Sequence, residues 1–326
     1  MTAKNPFHGI HAATVAPMQP DYDLDEAALA EHVGHVARVP GIRGLLINGH
    51  AGENFYLTRH EMRRVVEVVR SAVPKTCWLT AGINAESSIE AARQAADAEK
   101  AGANALLVFP PNSWAMHHDV GMVQAHHEHV AAASTLPLVL YQAPVGAGRM
   151  AYQLPVIERL IALPRVQAIK EGSWEVATYE QNWRFVAARR PDIAVLGSGD
   201  EHLLASYMIG SAGAQVSLAA VIPEVIVALH EAAMAMDWAT ARALHEKLYP
   251  LSVAVYRKAP GNRATARLKA CLKILGKLEH ATVRPPIESP PEDEIALLAK
   301  ALTLVVVRDV HSASDAGTDI LRTKQA

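Results

Sequence analysis

The chain has 326 residues, half of them hydrophobic and 20% charged, a balance that supports a large core and excludes a disordered protein. With 31 basic against 33 acidic side chains the formal charge is −2, so no global positive field exists to attract nucleic acid or an anionic membrane. No apolar run reaches the length of about 18 residues expected of a membrane span.

In chain order, Met1–Pro17 lacks a basic region followed by an apolar core, so no secretory signal is read there. Two cysteines, Cys77 and Cys271, do not make a disulfide framework, and a cytoplasmic setting is expected. Short apolar runs at Ala12–Ala16, Gly44–Asn48, Thr76–Ala81, Ala105–Phe109, Pro137–Tyr141, Val166–Glu171, Ala194–Ser198 and Ala214–Ser217 are predicted strands. Between and after them, Leu24–Arg38, Thr58–Ser71, Ser87–Ala101, Asp119–Ala133, Gln153–Ala162, Val176–Arg190, His202–Gly210 and Pro223–Met236 carry helical spacing. Thr58 with Glu61, and Ser87 with Glu90, have capping-box spacing, and Gly102 follows Lys100-Ala101 as a helix stop.

Alternating strands and helices require parallel pairing, because each return needs a crossover. Continuous apolar strands such as Leu45-Leu46-Ile47 fit a sheet covered on both faces. Eight such units predict a (β/α)8 TIM barrel over residues 1–236. An open doubly wound sheet is the competing architecture, and no Gly-x-Gly-x-x-Gly follows the first strand to support it. Trp238–Lys258, Asn262–Gly276 and Glu292–Val306 predict a helical extension over 237–308, with the stiff connector Arg284–Pro291 inside it. Residues 309–326 lose periodicity and are expected to form a mobile tail.

A barrel of this kind builds its active site at the C-terminal strand ends. Lys170 closes the apolar run Val166–Lys170, and desolvation there would free its amine as a nucleophile toward a ketone. Tyr141 ends the preceding strand and can shuttle protons beside it. The Gly49-His50-Ala51-Gly52 turn can bare N–H groups for a carboxylate, and Glu53 could tether it. His117-His118 and His126-His127-x-His129 fall around a helix away from the strand ends, so a metal site is not expected.

In this order, the strand-end residues resemble the dihydrodipicolinate synthase/N-acetylneuraminate lyase family, Schiff-base-forming (β/α)8 barrels with added C-terminal helices. Gly49-His-Ala-Gly-Glu53 resembles the family's Gly-Thr-Thr-Gly-Glu loop, and Leu57-Thr58 with Glu61-Met-Arg63 its helix start. Tyr141-Gln-Ala-Pro144 resembles Tyr-Asn-x-Pro, Ala168-Ile-Lys170 resembles Gly-Ile-Lys, and Gly199-Asp200 resembles Gly-Asp-Asp. Gly213-Ala-Gln-Val216-Ser217 resembles Gly-Val-Ile-Ser. The resemblance implies a lyase, aldolase or dehydratase acting on pyruvate or a longer 2-oxo acid, without metal or organic cofactor, assembled as a homodimer or homotetramer. It implies Lys170 as the Schiff-base residue and Tyr141 as the proton shuttle. It implies Gly49, Ala51, Gly52, Asn112, Gly199 and Val216 as substrate contacts.

The chain departs from the synthase at His50 and Ala51, where two threonines relay protons. It departs again at Pro111-Asn112-Ser113, where the synthase has paired tyrosines. Val145-Gly146-Ala147 stands where the synthase has a carboxylate-binding arginine, and Arg149 comes later. His50 titrates near neutrality when unperturbed and is the candidate to replace the missing relay. The distal half of the substrate is expected against Asn112–Met116, Val145–Arg149 and Ser173–Thr178. The competing readings are an authentic dihydrodipicolinate synthase, a catalytically silent barrel that binds 2-oxo acids, and a metal-dependent aldolase using the histidines.

Overall fold

The computed structural model describes residues 5–306; the tail at 309–326 lies outside the described residues. Eight parallel strands close a barrel in chain order. They are β1 Gly9–Ala13, β2 Ile42–Ile47, β3 Trp78–Ile83, β4 Ala105–Val108, β5 Leu138–Gln142, β6 Val166–Glu171, β7 Ala194–Gly197 and β8 Gly213–Val216. The intervening helices are α1 Glu26–Arg38, α2 Arg59–Ala72, α3 Ser88–Lys100, α4 Val120–Ala133, α5 Leu154–Ile161, α6 Val176–Arg189 and α7 Leu203–Ile209. A short α8, Leu218–Val221, precedes α9, Pro223–Met234, which packs against β1. Three further helices follow: α10 Trp238–Tyr256, α11 Ala264–Ile274 and α12 Glu292–Val306.

Strand alternation sorts the core into two layers. Outward residues such as Ile10, Leu45, Leu79, Leu106 and Ile169 pack beneath the helices. Inward residues Leu46, Leu107, Val139, Ala168 and Leu196 fill the barrel and end at Phe109 and Tyr141. This filling leaves the mouth at the C-terminal strand ends as the place for a site.

Local chemistry explains where the expected elements moved. The first strand lies at Gly9–Ala13 rather than Ala12–Ala16, because Gly9–Ala12 pairs with Gly213–Val216. The Thr58 hydroxyl and the Glu61 carboxylate form the expected capping box. The matching expectation at Ser87 is not met: its side chain makes no cap, and Glu90 faces Arg59 and Arg93 instead. Gly102 stops α3 in the left-handed region with φ +102°, as its position after Ala101 implies.

Candidate active site

Register brings the two central side chains together. Tyr141 on β5 pairs with Lys170 on β6, and both belong to the inward set that includes Val139 and Ala168. The Lys170 ammonium lies 5.8 Å from the centre of the Tyr141 ring. Lys170 is only 8% exposed, and burial lowers its pKa to about 8 against an opposing pull from Asp200. A drop from 10.5 to about 8 raises the neutral fraction at pH 7 roughly 300-fold. Asp200, just after β7, accepts a hydrogen bond of 2.9 Å from the Leu218 N–H; burial pushes its carboxyl up to about 6. Burial, with the negative charge of Glu171, keeps the Tyr141 phenol protonated well above its ordinary range.

The loop after β2 forms the opposite wall. Asn48 and Glu53 bracket it in left-handed backbone, with φ of 52° and 58°. Gly82 on β3 permits the loop's close approach, since a Cβ there would stand 2.0 Å from the Asn48 carbonyl oxygen. Within the loop a 3-10 turn spans His50–Gly52, and the Gly52 N–H donates to the Gly49 carbonyl at 2.9 Å. The N–H groups of His50 and Ala51 open this turn and meet no acceptor among the described residues. Glu53 does tether the loop. Its carboxylate takes the Lys269 ammonium on one oxygen and the Arg284 N–H on the other, the latter at 2.9 Å. The Thr265 hydroxyl donates to the His50 carbonyl at 3.0 Å. The helical extension therefore fixes the shape of a loop that the barrel supplies.

His50 sits differently from the relay expected of it. Its ring stacks between Phe55 and Phe109, with centroids 4.8 and 4.4 Å away, and meets Tyr141 edge-on at 5.3 Å. His50 is exposed and lines the cavity. Desolvation by the surrounding protein, and then the Lys170 charge, lower its pKa below the ordinary histidine range.

A cavity of about 410 Å³ opens above these residues. His50, Ala51, Tyr141 and Lys170 line it, whereas Gly49 and Gly52, expected as contacts, flank the turn after β2 without being among the walls. Of the other expected contacts, Asn112, Gly199 and Val216 are not among its walls. Asn112 is exposed, and its N–H donates to Glu86 at 2.8 Å. Gly199 borders a smaller pocket with Glu171 and Ser173. Val216 is buried in the outer core while its neighbours Gln215 and Ser217 line the cavity. Of the three loops expected to face the distal substrate, only Ser173–Thr178 contributes, through Trp174. Arg149 lies against His117 at 3.3 Å and does not line the cavity.

Residues not singled out as contacts from the sequence complete the walls: Ser198, Gln215, Ser217, Tyr256 and Thr265. Gln215 is fully buried, and both its amide atoms lack a hydrogen-bond partner among the described residues. A polar group so placed needs a ligand or water to offset its lost hydration. The signal that could have found it was an amide interrupting the apolar run Ala214–Val216. Tyr256 ends α10 with its hydroxyl toward Asp200 and Ser217, near enough to feel the charge yet outside hydrogen-bond geometry.

The clustered histidines have local partners: His127 and His129 bond the Val123 and Ala125 carbonyls of their own helix, and His126 meets the Ser88 hydroxyl on α3. Among the described residues no three His, Cys, Asp or Glu side chains gather as metal ligands. Cys77 and Cys271 are free and buried. No helix among the described residues is long and apolar enough to cross a membrane.

Comparison with known proteins agrees with this geometry. The 4-hydroxy-tetrahydrodipicolinate synthase 1 of Streptomyces coelicolor is 34% identical over 280 residues, covering 86% of this chain and 87% of that protein. The crystal structure of the Agrobacterium tumefaciens dihydrodipicolinate synthase superposes with a TM-score of 0.81 at 26% identity, covering 92% of this chain and 98% of that one. The Escherichia coli K12 prophage protein YagE, solved in complex with pyruvate, shares the fold with a TM-score of 0.85 at 23% identity, covering 92% and 98%. The sequence pattern of the dihydrodipicolinate synthetase family matches residues 6–304, nearly the whole chain, and the protein belongs to that family.

Proposed function

We propose that the protein is a Schiff-base-forming lyase, an aldolase or dehydratase, acting on pyruvate or a longer 2-oxo acid through Lys170. The observation that carries this reading is a buried lysine with a pKa of about 8, beside a buried protonated tyrosine on the adjacent strand. The neutral amine attacks the C2 ketone, and Tyr141 supplies the proton with which the carbinolamine loses water. The resulting iminium draws in the electrons of the bond broken at C3–C4, or stabilises the C3 carbanion for loss of a C4 hydroxyl. The His50 and Ala51 N–H groups, lacking acceptors, would hold the carboxylate. Because desolvation and the Lys170 charge weaken His50 as a base and its ring is held in a stack, we favour a substrate hydroxyl or water over the imidazole as the partner of Tyr141.

Borohydride reduction in the presence of pyruvate should fix a covalent adduct on Lys170, located by peptide mass spectrometry. An adduct absent from the wild type, or carried instead by Lys258 or Lys273, rejects the assignment.

A second reading, condensation of pyruvate with aspartate semialdehyde, is favoured by relatives named as 4-hydroxy-tetrahydrodipicolinate synthases. Against it stands a cavity whose described walls contain no arginine for the second carboxylate. We expect negligible turnover in that condensation; a rate matching an authentic synthase would overturn the preference. The catalytically silent alternative predicts trapping without turnover of any 2-oxo acid. Homodimeric or homotetrameric assembly remains part of the proposal, checked by light scattering.

A further inference from the structure

The cavity has two chemically different halves. Strand ends contribute Ser198, Asp200, Gln215 and Ser217 around Lys170, all able to hydrogen-bond. The loops and the helical extension contribute mainly aromatic and aliphatic groups, Trp174, Tyr256, Phe55, Tyr56, Leu268 and Ile287, with Asn262 and Thr265 as polar exceptions.

Trp174 is the most telling of these. Its backbone is left-handed, with φ +57°, a conformation that bulky side chains rarely adopt. Such a residue persists where surrounding structure holds it, and functional sites are where such residues concentrate. Here the turn sets a half-buried indole on the cavity wall, 5.0 Å from the Tyr256 ring at an angle of 58°. Two tilted rings beside an opening of about 410 Å³ leave space for a third.

Charge narrows the choice of ligand. The charged walls among the described residues are Lys170, Asp200 and Glu53. The Glu53 carboxylate is already taken by Lys269 and the Arg284 N–H. A second substrate carboxylate would find only the lysine that forms the imine, and would face Asp200. A polyol chain needs a row of donors and acceptors beyond C4; on the loop and extension side the walls offer Asn262 and the Thr265 hydroxyl, and the latter is already given to the His50 carbonyl.

We propose that the substrate beyond C4 is an uncharged aryl group packed against Trp174 and Tyr256, and that cleavage releases an aromatic aldehyde together with pyruvate. This rests on the lyase reading above. In the cleavage of a 4-aryl-4-hydroxy-2-oxobutanoate imine, the C3–C4 bond breaks and its electrons enter the iminium. The C4 hydroxyl gives up its proton to become the aldehyde. The enamine takes a proton at C3, and water then frees pyruvate from Lys170. No oxidant or further co-reactant is needed.

The full-length protein is assayed for pyruvate addition to benzaldehyde, succinic semialdehyde and glyceraldehyde, with borohydride trapping of pyruvate run alongside. Benzaldehyde should show the highest kcat/KM. Trp174→Ala should raise the benzaldehyde KM about tenfold, the scale of a lost ring contact, with a smaller change in the pyruvate KM. Trp174→Phe should recover most of the loss, and Tyr256→Leu gives a second, independent reading. With trapping intact, preference for the carboxylated or polyol aldehyde, or an unchanged benzaldehyde KM in both variants, overturns the aryl assignment alone. Absence of trapping overturns the assignment together with the lyase reading.

Discussion

The loop after β2 and the loops after β4 and β5 leave strand ends of one barrel, yet they meet different fates. The first is drawn across the cavity by α11 and the Arg284 segment, through His50 and Glu53. The other two turn outward and hold each other: His118 bonds the Arg149 carbonyl, while Arg149 lies on His117. Glu86 takes the Asn112 and Ser113 N–H groups at 2.8 and 3.0 Å, which pins that turn to the surface. The barrel offers several loops to the mouth, and the helices added after it decide which of them becomes a wall.

The strongest way to break this contrast is to cut the tether. Lys269→Met leaves the Glu53 carboxylate buried without its cation, since both side chains are fully enclosed. The expected cost is about 3–5 kcal/mol of stability, read from the denaturant midpoint, with a raised KM for pyruvate. Adding Glu53→Gln should restore most of the stability but not the KM. An unchanged KM in both variants would mean that the tether does not shape the site.

A smaller effect is expected at His50. His50→Ala should lower turnover by about 10²-fold through collapse of the stack between Phe55 and Phe109, whereas His50→Phe should stay within about tenfold of wild type. A large loss in the phenylalanine variant would restore the proton relay instead.

Asp200 gives a shift rather than a loss. Nucleophilic attack requires neutral Lys170, so the trapping rate should rise with pH through a pKa of about 8. The Asp200 charge holds that pKa up, so Asp200→Asn should move the rising limb to lower pH. Movement in the opposite direction would contradict the placement of that charge.

The outward loops should respond least. Asn112→Ala and Arg149→Ala are each expected to change kcat/KM less than about twofold, as surface substitutions away from a site usually do. A tenfold loss in either would return that loop to the cavity.

Much of this architecture was readable because strand composition and register chemistry coincide. β6 falls at Val166–Glu171 as predicted, since a lysine closing an apolar run marks both the strand and its mouth. Tyr141 followed from the same logic one strand earlier. The loop that carries Trp174 was legible, but its left-handed turn was not, and Tyr256 and Thr265 depend on the path of α10 and α11. Lys269 carried a faint signal, a lysine within the apolar helix Ala264–Ile274, but its partner stands far away in the chain. At His50 the residue type suggests titration, and only the fold adds the rings of Phe55 and Phe109 that pack against it.

The bond between Glu53 and Lys269 spans 216 positions, and that between His50 and Thr265 spans 215. At about 5–20 residues per second, a ribosome releases every barrel strand some seconds before α11 exists. The nascent barrel can pair its strands in that interval while the turn after β2 still lacks its anchor. The final shape of that wall of the cavity is thus postponed to the last stage of synthesis. A chain halted once β8 has left the ribosome, but before α11 is made, would carry Lys170 at its strand end with the facing turn unset.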